Sequence, residues 1–143
     1  MRQLAEYRDL SDKIPGAGAD VAGVVVDPPE RAEAVRRQLG LAFPILCDTK
    51  REVVRAWNIF EPEQMGGIAN PAVFVVDRER RVRFASIDRD AVRVPATTVV
   101  DFIARGMPAE DAEAKRRFML PGVGDFLRAT RNVLRFGMKA PRE

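Results

Sequence analysis

The chain is 143 residues long, 46% hydrophobic and 31% charged, which fits one domain able to bury a core, and no apolar run approaches the ~18 residues of a membrane span. A single cysteine, Cys47, and no histidine exclude an internal disulfide framework, thiolate-rich or imidazole metal sites, and the Ser-His-Asp and Cys-His pairs of common hydrolases. The net charge of +3 is uneven: residues 1–114 carry 16 basic and 19 acidic side chains, residues 115–143 carry 8 and 2. The cationic character is therefore confined to the tail, and no nucleic-acid binding is expected of the body. Thiol, carboxylate, arginine or cofactor chemistry remains. The first residues are charged and amphipathic, unlike a signal peptide, so a cytoplasmic location is expected.

Leu4, Tyr7, Leu10 and Ile14 fall at helical spacing, and Pro15-Gly16-Ala17-Gly18 breaks that helix. The nearly unbroken apolar run Val21 to Val26 reads as a strand covered on both faces in a parallel sheet. Asp27-Pro28-Pro29-Glu30 has the pattern of a helix start, with Asp27 as the N-cap, and Gly40 ends the helix. Phe43 to Cys47 predicts a short buried strand, after which Asp48 or Thr49 caps a helix through Val53, Val54 and Trp57. Residues 58–69 read as a loop, with Gly66-Gly67 as a hinge lacking the Lys and Ser or Thr of a phosphate loop.

The stretch from Asn70 to Ala85 is the most informative. Pro71 leads a β-branched and aromatic run into Asp77, an arginine-rich turn follows, and a second run alternates from Val82, predicting a β-hairpin. Proline is tolerated at the first residue of a strand, so Pro71 marks an edge or corner. Pro95 then opens a helix through Val99, Val100, Phe102 and Ile103 that Gly106 closes. Pro108 to Gly124 holds a charged helical stretch. The spacing of residues 125–138 predicts an amphipathic helix with Arg128, Arg131 and Arg135 beside an apolar face, read first as a docking helix and second as a membrane-surface or partner anchor. The alternation of elements ending in a hairpin predicts an α/β layer with a mixed sheet.

In order and spacing these pieces resemble the thioredoxin-like superfamily on its peroxiredoxin-related side, the alkyl hydroperoxide reductase and thiol-specific antioxidant (redoxin) group. The segments that carry the likeness are Leu4-Ala-Glu-Tyr-Arg8, Gly23-Val-Val-Val-Asp27, Phe43-Pro-Ile-Leu-Cys-Asp48, Arg51 to Trp57 and the hairpin from Pro71. The resemblance implies a three-layer thioredoxin-like domain over 1–106, followed by a basic helical extension over 107–143. It implies thiol-dependent reduction of peroxides or disulfides without a cofactor or metal, with a thiol reductant or disulfide-bearing protein as partner, and self-association. In the family the nucleophilic cysteine precedes the first helix after a central strand. No counterpart of either is found in this sequence, so the chain is expected to be part of a longer polypeptide and inactive as it stands. A non-catalytic module binding a partner through its exposed sheet edge or basic tail is the alternative.

The resemblance also implies that Pro71 is a cis-proline facing the active site, as in disulfide reductases, where peroxiredoxins carry arginine; a trans proline that merely starts a strand is the other reading. Asn70 and Arg93 are candidate supports of that site, and Asp88-Arg89-Asp90 reads first as a solvated loop. Cys47 reads as a structural thiol, because burial and an adjacent carboxylate disfavour the thiolate; a resolving or intermolecular thiol is its functional reading. Arg51 and Arg55, one turn apart, are expected to pair with Glu52 or solvent.

Overall fold

A computed structural model describes residues 2–63, 67–88, 92–108, 117–118, 130–131 and 134–135. The chain opens in α1 (Arg2–Asp9), but the helix expected to run through Ile14 turns at residues 10–12 and restarts as α2 (Lys13–Gly16). Leu10 and Ser11 donate to the carbonyls of Tyr7 and Arg8, the three-residue bonds that tighten a last helical turn. Ile14 is still buried, as its spacing required.

The parallel pair expected after α2 forms between β1 (Gly23–Val25) and β2 (Ile45–Cys47), joined by α3 (Pro29–Leu39). Gly40 ends α3 in the left-handed region at φ 64°, where glycine has no Cβ penalty. Asp27 does not cap α3. The helix starts from the extended backbone of Pro28, and the Asp27 carboxylate instead accepts Arg31 Nη1 at 2.8 Å, one turn into the helix. Nor is this ladder covered on both faces: Val24 and its partner Leu46 are 45% and 54% exposed.

Asp48 caps α4 (Glu52–Ala56), accepting the amides of Glu52 and Val54 at 2.9 Å each. The region read as loop contains a small antiparallel pair, β3 (Phe60–Glu61) with β4 (Ile68–Ala69), whose strands are too short to show an alternating pattern. The hairpin forms as read, β5 (Ala72–Val76) against β6 (Val82–Ile87), with a bulge at Val75/Val76. Its turn is held by Asp77, which accepts the Arg81 amide at 2.8 Å. β7 (Val92–Arg93) leads through Pro95 into α5 (Ala96–Ala104), and Gly106 follows at φ 77°.

Parallel and antiparallel pairing are both present, but the described strands form four two-stranded ladders rather than one mixed sheet. Among the described residues no strand bridges β1 and β5, so each keeps an edge without ladder bonds. β8 (Arg117–Phe118) pairs with β7, so this part of the expected helical stretch is extended instead; cross-strand hydrogen bonding outweighs local helix preference there. Of the helix expected over 125–138, Thr130, Arg131, Leu134 and Arg135 are helical, and its remainder lies outside the described residues. Among the described residues no helix is long and apolar enough to cross a membrane.

Among the described residues two clusters carry much of the core. Val75, Phe84, Val94, Val99 and Phe102 pack between the hairpin and α5, while Leu39, Leu41 and Phe43 gather Leu4, Tyr7, Val21, Val35 and Ile45 around them.

Candidate functional site

Pro71 stands where two backbone segments converge. The Asn70 amide donates to the Ile59 carbonyl at 2.7 Å, and the Pro71 carbonyl accepts the Asp88 amide at 2.7 Å. The corner is thus stitched to the end of α4 on one side and to the end of β6 on the other. The peptide bond into Pro71 is trans, since the described chain contains no cis peptide, which corrects the cis geometry that the resemblance implied. Pro71, which has no N–H to donate, stands immediately before β5, and its carbonyl extends the β5–β6 ladder by one bond.

Asp88 is not the solvated loop residue it resembled. It is 2% exposed, and its Oδ1 accepts Ser86 Oγ at 2.8 Å. Phe84, Ser86 and Asp88 alternate along β6 and its extension, all three buried, so the period of two was the available signal. Arg89 and Asp90 lie outside the described residues. Arg93 sits in β7 opposite Arg117, half-buried and engaged in interactions of its own.

Cys47 lies elsewhere, in the β1–β2 ladder opposite Val25. Burial first, then the charges of Asp27 and Glu30, push its thiol above the ordinary value. The direction agrees with a structural thiol, although the carboxylates responsible come from the turn before α3 and from α3 itself rather than from adjacent Asp48. A thiol held in its protonated form is a poor nucleophile.

Arg51 differs most from its sequence reading. It is buried in a left-handed conformation at φ 59°, and it donates to the carbonyls of Gly67 at 3.3 Å and Thr49 at 3.1 Å rather than to Glu52. Arg55 donates to the Lys50 carbonyl and lies 4.9 Å from the Phe60 ring centroid. Gly67, at φ 96°, leaves room for both neighbours: a Cβ there would come 3.0 Å from the Phe60 ring and 3.4 Å from Arg51 Nε.

A parallel β1–α3–β2 unit, a closing β5–β6 hairpin with α5 packed on it, and a proline corner at the hairpin entrance define a thioredoxin-like redoxin fold. Comparison with known proteins narrows the class: residues 1–85 match the AhpC/TSA family, and the chain belongs to that family. It is 35% identical over 85 residues to "Putative peroxiredoxin Rv2521" of Mycobacterium tuberculosis, covering 57% of this chain and 54% of that protein. It is 31% identical over 87 residues to alkyl hydroperoxide reductase E of the same organism, covering 59% of this chain and 56% of that protein. Among solved structures, Mycobacterium tuberculosis AhpC superimposes with a TM-score of 0.67 at 25% identity, over 78% of this chain and 63% of that one. The chain spans about half the length of the curated relatives it matches.

Proposed function

We propose that this chain is the hairpin-bearing part of a redoxin that reduces peroxides or disulfides, and that it carries no nucleophilic thiol of its own. The observation that carries the reading is the pairing of the AhpC/TSA match over residues 1–85 with a sequence whose one thiol, Cys47, sits in the β1–β2 ladder with its ionisation disfavoured. In the complete reaction an upstream thiolate attacks a peroxide oxygen, breaking the O–O bond to release water or an alcohol and leave a sulfenic acid, or attacks a disulfide sulfur and expels its partner thiolate; a second thiol then displaces water, or the bound thiolate, to form a disulfide that the thiol reductant reopens. The Pro71 corner, with Asn70 and Arg93 as supports, would form the wall facing that thiolate, and a thiol reductant or disulfide-bearing protein would be the partner. The experiment is a peroxidase and insulin-disulfide reduction assay of the chain and of Cys47→Ser. Both proteins should be inactive; turnover that disappears with Cys47→Ser overturns the reading.

A second reading, a non-catalytic module that binds through its sheet, is favoured by the exposure of Val24, Leu46, Val76, Val82 and Ile87 on strands that leave ladder edges open. With a second copy as the simplest partner, sedimentation should show concentration-dependent association that Val76→Lys and Ile87→Lys weaken. A monomer at every concentration removes this form of the reading.

A further inference from the structure

No strand joins the β1–β2 and β5–β6 ladders among the described residues, so contacts between other elements set one half of the molecule against the other. One such contact is Trp57, at the end of α4, whose ring meets Phe74 of β5 edge-on with centroids 4.5 Å apart. α1 supplies a second. Leu4 and Tyr7 pack on the Leu39, Leu41 and Phe43 cluster, and the same helix lies against α5. Glu6 and Arg8 stand two positions apart, which is roughly 200° around a helix of about 3.6 residues per turn, so their side chains leave α1 toward different neighbours.

Each of them meets a helix end. Glu6 Oε2 accepts the amide of Ala96, the first residue of α5, at 3.3 Å. Pro95, at the cap position, gives α5 no side-chain cap, and Ala96 is 0% exposed, so bulk water does not serve that amide. Arg8 Nη1 donates to the carbonyl of Leu39, the last residue of α3, at 2.9 Å. Asp9 grips the same guanidinium at 2.8 Å from Nε and 2.7 Å from Nη2, and so aims Nη1. A carboxylate thus stands at the positive end of one helix dipole and a guanidinium at the negative end of another, the favourable sign in both places.

We propose that Glu6 and Arg8 make α1 a two-ended clasp that caps α5 and α3 across the fold and fixes the two halves relative to each other. Because α5 packs on the hairpin that Pro71 leads, the clasp also sets the Pro71 corner against the β1–α3–β2 unit. Neither side chain touches a reacting atom in this account. Both are positioning residues, and the inference stands whether or not the redox reading holds.

The test is hydrogen exchange on the full chain. Glu6→Ala should speed exchange in the first turn of α5 and also at the Gly40 and Leu41 amides that close α3, by about two- to fivefold. Arg8→Ala should do the same at both places, although its own bond is to α3. Glu6→Gln, which keeps an acceptor oxygen, and Arg8→Lys, which keeps the charge, should each recover part of the loss. In the double alanine variant the effect on the unfolding equilibrium should fall short of the product of the single effects by about threefold, because cutting either tie loosens the other. Acceleration confined to the helix end that each side chain bonds, or single effects that simply multiply, overturns the clasp. If an alanine variant does not fold, Glu6→Gln and Arg8→Lys decide on the same criterion: residual acceleration at both helix ends supports the clasp, and acceleration at one end refutes it.

Discussion

Around β5, β6 and α5, apolar side chains meet one another: Val75 and Phe84 from the hairpin close on Val99 and Phe102 from the helix, and the Phe84 and Phe102 rings lie 5.5 Å apart. Around β1, β2 and α3 the same residue types are divided. Leu39, Leu41 and Phe43 are buried, yet Val24 and Leu46, paired across the ladder, face outward. The hairpin also turns Val76, Val82 and Ile87 outward on its far face, so the difference concerns the buried face: a local hairpin with its own covering helix can complete one face of a core within a short stretch of chain. A parallel β–α–β unit has two faces and needs cover for both.

The comparison breaks most sharply at Phe102. Phe102→Ala removes a fully packed ring from the closed half and should cost about 3–5 kcal/mol in urea unfolding, with hydrogen exchange rising first in α5 and β5–β6. A loss below about 1 kcal/mol would mean that this half is no better closed than the other. Asp48→Ala strikes the junction between the open half and α4. The part-buried amide of Glu52 and the buried amide of Val54 lose their acceptor, and about 1–3 kcal/mol should be lost, with α4 amides exchanging faster.

The smallest effect is expected on the surface of the open half. Arg36 and Arg37 bond the Glu33 carboxylate at 2.6–3.0 Å and lower its pKa from 4.5 to about 2. A carboxylate whose folded pKa is depressed stabilises the fold above its unfolded value, and that contribution disappears as pH falls through the folded value. Glu33→Gln should therefore melt slightly lower than the parent at neutral pH, and the gap should close as pH falls from 4.5 toward about 2. Because the pair is exposed, added salt should shrink the same gap. A gap that widens on acidification would show the ion pairs to be unfavourable.

Much of the fold was legible because its signals are local. The turn chemistry at Asp77, the left-handed Gly40, the Pro95 entry to α5 and the Asp48 cap each depend on a few neighbouring residues, and each is found where the pattern placed it. The family was legible from the order of these pieces. The corner at Pro71 was legible too; of the two readings of its peptide bond, the strand-starting trans proline read from the residues is found, not the cis form that the resemblance implied. Cys47 was read correctly in direction and in its main cause, burial, but the carboxylates that act on it are Asp27 and Glu30, which reach it only through the fold of the β1–α3 turn.

Periodicity and turn residues are properties of adjacent positions, so the hairpin, the β1–α3–β2 unit and the character of α5 could be written down from the chain alone. Burial of Arg51 between two carbonyls, of Asp88 beside the Pro71 carbonyl that its amide bonds, and of the Tyr7 hydroxyl could not. Charged and polar side chains default to solvent in a sequence reading. They go inside where segments distant in sequence close over them, and those segments meet only once the chain has folded.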